Sequence, residues 1–209
     1  MRLLISVLAG GLLLAGCATM SKESCLQGDW AGAGFKDGEA GHPQSRLDDH
    51  AKACSKSGVA PDPVPYFAAR AQGLKLFCTP GRGFHEGRQG NAYAEVCPDG
   101  PARDFLAAYA DGRLVHAAGA RLSQAESDRS SADNRAEKRD REARGVEDEL
   151  RNPVLNDEQK RELRDRLNRL RSERRAAVED GRRADWAKRD AEREVDDLEY
   201  RFGPIYGGW

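Results

Sequence analysis

The chain has 209 residues, 34 of them basic and 35 acidic, for a net charge of −1. That length allows one or two small domains. Neutrality argues against nucleic acid as a partner, because phosphate binding draws on a surplus of Lys and Arg. Charged residues make up 33% against 39% hydrophobic, which is too polar for a polytopic membrane protein. Residues 119–209 hold 22 Lys/Arg and 23 Asp/Glu, whereas all five cysteines precede them. Three parts follow: a leader over 1–16, a Cys/Gly-rich head over 17–118 and a charged arm over 119–209.

Met1-Arg2 gives a short positive start, and Leu3 to Leu14 is an uncharged apolar stretch. It is too short for a stable bilayer span and has the size of a signal-peptide core. It ends in Leu14-Ala15-Gly16-Cys17. That tetrapeptide resembles a bacterial lipobox, which implies a lipidated (palmitate-type) Cys17 at the start of the mature chain. Each buried methylene contributes ~0.8 kcal/mol, so several acyl chains together hold a protein almost irreversibly. By resemblance to the bacterial sorting rule, Ala18 after the cysteine favours the outer membrane, with the protein facing the periplasm.

Cys25, Cys54, Cys78 and Cys97 remain. Four thiols in an oxidising compartment allow three pairings. Ser21 can cap a helix running to about Gly38. Ser45 with Asp48 resembles a capping box opening a helix that ends at Gly58. Asp62-Pro63 starts a third helix, with Val64, Phe67, Ala71, Leu74 and Cys78 on one stripe. Thr79-Pro80 opens a short Gly-broken segment that ends near Cys97-Pro98. Antiparallel neighbours would join Cys25 to Cys54 and Cys78 to Cys97. Zinc is disfavoured because no pair has CxxC spacing, although His50 and Cys54 lie four apart on one helix. No metal and no cofactor is expected.

A short pattern recurs as Phe35-Lys36-Asp37-Gly38, Phe84-His85-Glu86-Gly87 and Tyr109-Ala110-Asp111-Gly112, with Tyr66-Phe67-Ala68-Ala69 as a looser copy. On a helix, an aromatic and a small residue three apart share a face, which suits close helix packing. Arg70, Arg88 and Arg113 follow the small residue in three copies. They are candidate ligands for a carboxylate or phosphate, although Asp37, Glu86 and Asp111 stand beside them.

Trp30…Gly34-Phe35-x-Asp37-Gly38…Gly41, His50-x3-Cys54-x3-Gly58-Val59, Tyr66…Arg70-x-x-Gly73-Leu74…Phe77-Cys78 and Gly83-Phe84-x-x-Gly87…Gly90…Tyr93…Val96-Cys97-Pro98 occur in order, followed by Phe105…Ala108-Tyr109…Gly112-Arg113. This set resembles a family of proteobacterial lipoproteins defined by a domain of unknown function, over about residues 21–116. The resemblance implies a location and an architecture, and brings no activity, ligand or catalytic residue.

In the arm, Asn152-Pro153 interrupts a helical sequence, and Asn156 with Gln159 can cap the next helix. Heptad stepping before the break gives Leu122, Ala125, Arg129, Ala132, Ala136, Arg139, Ala143, Val146 and Leu150. After it come Leu163, Leu167, Leu170, Arg174, Ala177, Gly181, Ala184, Lys188, Ala191, Val195, Leu198 and Phe202. Two mostly apolar stripes joined by a short turn predict an antiparallel coiled-coil hairpin. The second helix is predicted from Asp157 to Phe202, ended by Gly203-Pro204. Its partner needs matching length, which predicts one helix from about Pro101 to Arg151, unbroken at Gly112 and Gly119. Leu198 and Phe202 would then lie near Phe105 and Tyr109, and Ile205 to Trp209 would form an aromatic tail.

The fold class expected is all-α: a small disulfide-stapled helical head followed by a long antiparallel coiled-coil hairpin. No GxSxG elbow, HExxH or Walker loop is present, so no enzyme is expected. The reading is a membrane-anchored envelope lipoprotein with a structural or adaptor role. Its partners would be the membrane, through the lipid anchor, and an envelope protein or the cell wall. The alternative is a small anionic-ligand or cell-wall-binding module in the head.

Overall fold

The structure is a computed structural model that describes residues 19–209. Cys17 and the leader lie outside the described residues. Among those described, seven helices and no strand occur: α1 (Lys22–Gln27), α2 (Trp30–Glu39), α3 (Arg46–Ser55), α4 (Pro63–Phe77), α5 (Pro80–Gln89), α6 (Asp99–Leu150) and α7 (Asp157–Tyr206). The all-α class, the two disulfides and the long helix pair are as the sequence predicts.

Local chemistry sets most of the boundaries. Ser21 caps α1 by accepting the amide of Ser24. The single helix expected from Ser21 to Gly38 is two helices instead. Gly28 adopts the left-handed conformation (φ 67°) that ends α1, and Asp29 then caps α2 by accepting the amide of Gly32. The capping box expected at Ser45 does not form. Ser45 is itself helical and makes no side-chain cap, because the Pro43–Ser45 turn already feeds α3. Asp62 caps α4 as expected, accepting from Val64, with Pro63 in the first turn. The segment opened by Thr79-Pro80 is helical through Gly81, Gly83 and Gly87 as α5, and it breaks at Gly90 (φ 77°), so that residues 91–98 are not helical.

Two compact units form. Unit 1 holds the described residues through Thr79 together with Tyr93–Asp104, and unit 2 holds Pro80–Ala92 with Phe105–Trp209. These units do not follow the change of composition near residue 118. Phe84 of α5 and Ala108, Val115 and Ala118 of α6 share one core with Leu198 and Phe202 of α7, so the early part of α6 packs with the arm. In unit 1, Cys25, Trp30, Cys54 and Tyr66 form the core, with Met20, Ala33, Leu47 and Val59 against it.

The α4 stripe differs from expectation. Tyr66, Arg70, Gly73, Leu74 and Phe77 are buried, whereas Val64 is 77% exposed and Phe67 and Ala71 are also exposed. The glycine face of α4, not its most apolar face, meets α2.

In unit 2 the hairpin holds closely to its heptads. Helix α6 runs unbroken through Gly112 and Gly119. Asn156 and Gln159 form a reciprocal capping box that opens α7. Ala143, Val146, Leu167 and Leu170 form a second core there, with Leu150 and Leu163 beside it. The four cations inside the two stripes each cross to the other helix: Arg129 to Asp185 at 3.1 Å, Arg139 to Glu173 at 2.6 Å, Arg174 to Asp140 at 3.1 Å and Lys188 to Glu126 at 3.1 Å. Exposed pairs of this kind add little stability each, but charges at seam positions fix register and orientation. Gly181 leaves the space that the Arg129 guanidinium fills.

Gly203-Pro204 does not end α7, which continues to Tyr206 with Pro204 inside it. Proline there removes one hydrogen bond in the last turns. Tyr206 holds the last turn in place, stacking on Phe84 at 4.3 Å and donating to Asp111 at 2.9 Å. Trp209 also lies against Phe84, at 5.0 Å.

Candidate functional site

The centre of unit 1 is a backbone-to-backbone crossing of α2 and α4. A Cβ at Gly34 would lie 2.1 Å from the carbonyl oxygen of Tyr66, at Gly38 2.2 Å from that of Arg70, and at Gly73 2.1 Å from that of Phe35. Only glycine fits at such distances. Unit 2 contains the same crossing between α5 and α6. There Gly83 meets the Phe105 oxygen at 2.3 Å, Gly87 that of Tyr109 at 2.2 Å, and Gly112 that of Phe84 at 2.2 Å. The correspondence is residue by residue: Gly34, Gly38 and Gly41 match Gly83, Gly87 and Gly90, while Tyr66, Arg70, Gly73 and Phe77 match Phe105, Tyr109, Gly112 and His116. Gly41 and Gly90 both have left-handed backbone (φ 70° and 77°), and the rings of Phe77 and His116 lie over them. Each pair of helices also has a disulfide ahead of it in sequence, Cys25–Cys54 (Sγ–Sγ 2.00 Å) and Cys78–Cys97 (2.14 Å). The head is therefore one motif built twice.

This settles the recurring sequence pattern. Phe35–Gly38 and Phe84–Gly87 are true equivalents. Tyr109–Gly112 lies on the partner helix and corresponds to Arg70–Gly73. Tyr66–Ala69 is therefore not a copy, since the residue that touches α2 is Gly73 and not Ala69.

Around the first crossing the side chains form a buried polar chain. Asp37 Oδ2 accepts from the Tyr66 hydroxyl at 2.6 Å and lies 2.7 Å from His50 Nε2. His50 Nδ1 lies 2.9 Å from the Thr19 hydroxyl. In the tautomer with its proton on Nε2, the ring donates to the Asp37 carboxylate and Nδ1 accepts from the Thr19 hydroxyl. His50 is 3% exposed and Asp37 7%. Burial, the hydrogen bond to Asp37 and the charge of Asp37 all push the Tyr66 phenol above its ordinary range. Hydroxyl, imidazole and carboxylate in a row is an order that can activate an oxygen nucleophile. Here the row also ties the segment at Thr19 to α3, α3 to α2, and α2 to α4. The second copy lacks it: Phe105 stands where Tyr66 does, and Glu86 pairs instead with Arg82 at 2.9 Å and Asn91 at 2.7 Å.

The candidate anion ligands are placed separately. Arg70 belongs to unit 1, and Arg88 and Arg113 to unit 2. Arg70 is 4% exposed and donates to the carbonyl oxygen of His42, while its Nε is buried with no hydrogen-bond partner among the described residues. Arg113 is exposed and donates to the Gly90 oxygen at 3.2 Å. Arg88 is half-buried, and its carbonyl oxygen accepts from His116 at 3.2 Å. Cys17 lies outside the described residues.

Arg70 also lines a cavity of about 550 Å³ in unit 1, together with Phe67, Ala71, Leu74, Cys78, Val96 and Pro98 among others. Sequence reading named neither this cavity nor the Asp37–His50–Tyr66 chain. The available signal was Asp37, a carboxylate fixed between two residues of a helix-packing motif.

Residues 29–114 match the family model described as "Protein of unknown function (DUF2799)". The match opens at the Asp29 cap and ends two residues after Gly112, so it contains both crossings and leaves most of the hairpin outside. No curated protein and no solved structure matches the chain.

Proposed function

We propose that this is an envelope lipoprotein, anchored through Cys17 to the outer membrane and facing the periplasm, with a structural or adaptor role and no catalysis of its own. One observation carries this reading. All four cysteines among the described residues are consumed in two disulfides, which persist in oxidising compartments. The fifth, Cys17, directly follows an apolar stretch and Leu14-Ala15-Gly16. The Thr19–His50 hydrogen bond supports it as well, because it fastens the chain to unit 1 two residues after the proposed anchor. No helix among the described residues is long and apolar enough to cross a membrane.

The hairpin is the proposed docking surface for an envelope protein or the cell wall. Val154 at its tip is 85% exposed, and Trp186 on α7 is 69% exposed with the Arg189 guanidinium over its ring. Metabolic labelling with an alkyne palmitate, followed by membrane fractionation, tests the anchor. Label and membrane association should both vanish in Cys17→Ala, and an unlabelled wild-type chain would overturn the anchoring. A photo-crosslinker at Leu155 in intact cells tests the docking role. One dominant adduct is expected, and its absence would remove the tip from the proposal.

A further inference from the structure

We propose that the 550 Å³ cavity of unit 1 is a binding site for a small amphipathic anion, an apolar chain carrying a carboxylate or phosphate. This goes beyond the anchoring reading and does not depend on it. Of the five residues in the apolar stripe of α4 legible in the sequence, Val64 is 77% exposed and the other four are Phe67, Ala71, Leu74 and Cys78, yet the crossing with α2 uses the adjoining glycine face. These same four residues line the cavity, opposite Val96, Pro98 and Pro101. This face of α4 therefore borders a hollow open to solvent at Phe67 and Ala71, rather than another helix.

The volume lies within the ~300–1,000 Å³ usual for small-molecule sites, and a mainly apolar lining with few polar groups is their usual composition. The polar lining is of one sign. Arg70 and Lys75 are its charged residues, Gln44 is neutral, and no carboxylate takes part. Arg70 points to an anion independently of the cavity's shape. It is more than nine-tenths buried, with one nitrogen spent on a single backbone oxygen and another without an acceptor. A buried guanidinium left short of acceptors is costly, and its charge at the cavity wall favours a ligand oxyanion. Lys75 is exposed and bonded at 2.8 Å to the neutral Gln72 side chain, so its charge also has room for an anion. The Cys78–Cys97 disulfide joins α4 to the Val96–Pro98 wall, holding the cavity in shape.

The test uses the full chain in lipid nanodiscs and a diazirine-bearing dodecanoate, with photo-adducts mapped by peptide mass spectrometry. Adducts should fall on Phe67–Cys78 and Val96–Pro101. Unlabelled dodecanoate and dodecyl phosphate should compete at least about tenfold better than dodecanol, a gap of ~1.4 kcal/mol; the better of the two identifies the head group. Ala71→Trp, on an exposed position that lines the cavity, should abolish these adducts while both disulfides and the helical circular dichroism remain. Lys75→Gln should narrow the preference over dodecanol without unfolding risk to the core. Labelling spread over the exposed helices, adducts unchanged in Ala71→Trp, or equal competition by dodecanol would each overturn the proposal. Loss of labelling with Cys17 still lipidated would leave the anchoring reading standing and sink only this one.

Discussion

Replacing Gly73 by alanine sets two effects against each other within one residue. In the interior of an exposed helix the change gains about 1 kcal/mol, because alanine loses less backbone entropy than glycine. At Gly73 the new methyl would lie 2.1 Å from the Phe35 oxygen and 2.6 Å from the Glu39 nitrogen, against ordinary contact beginning at 3.4 Å. Both are main-chain atoms of α2, so neither can rotate away. The helices must part by roughly 1 Å, and that separation also opens the contacts at Gly34 and Gly38. Overpacking a tight interior costs ~1–3 kcal/mol and at times more, so the overlap outweighs the propensity gain. Because three main-chain contacts open together, the upper end of that range applies, and less the propensity gain it leaves a net loss of ~2 kcal/mol, a fall of roughly 8–16 °C for a unit of this size. Thermal unfolding of the oxidised full chain, followed by circular dichroism, measures it. Gly145→Ala is the matched control, since nothing lies within 4 Å of its Cβ position; it should hold or raise the midpoint. If Gly73→Ala melts at or above wild type, the close-contact account of the head is wrong.

Leu167 and Leu170 are 7% and 8% exposed in the hairpin core, so Leu167→Ala should cost ~2–5 kcal/mol, read as earlier proteolysis of α6 and α7. The two disulfides close separations of 29 and 19 residues, and removing either should cost about 3–4 kcal/mol on the loop-entropy model; Cys25→Ser/Cys54→Ser that melts with wild type would contradict this. Tyr206 is pushed up to about 12, first by burial and then by its hydrogen bond to Asp111, and Tyr66 is raised in the same direction. Because the folded phenols ionise later than the unfolded ones, their contribution is full below the ordinary value of ~10 and is lost as pH rises toward the folded values. Tyrosinate absorbance should show late-titrating groups that disappear in Tyr66→Phe and Tyr206→Phe.

The hairpin was the most legible part of the chain. A heptad stripe reports directly on which residues meet, because both helices obey one period. Even its cations were placed correctly by spacing, although only the structure shows that Arg129, Arg139, Arg174 and Lys188 each reach a carboxylate on the opposite helix. The disulfide pairing was legible too, since helix ends bring neighbouring cysteines together. Unit 1 was harder. Its helices meet through glycines, and a face defined by the absence of side chains gives no hydrophobic signal. The stripe on α4 therefore pointed to a packing surface where the structure has a cavity wall. The polar chain was hidden for another reason: Thr19, Asp37, His50 and Tyr66 come from four separate segments. Pro204 misled because a helix stop near the end of a chain can be overruled by one well-anchored aromatic, here Tyr206.

The repeated crossing has a consequence for how such a chain can change over time. Six glycines carry the geometry, and each allows one amino acid. The side chains around them are under no such restriction: Tyr66 answers to Phe105, Arg70 to Tyr109 and Phe77 to His116, while the main-chain contacts stay within 0.2 Å of one another. One scaffold thus keeps a charged, hydrogen-bonded interior in one copy and an aromatic one in the other. New chemistry could arise in either half without redesigning the joint, and each half supplies the reference state against which the other's alterations can be measured.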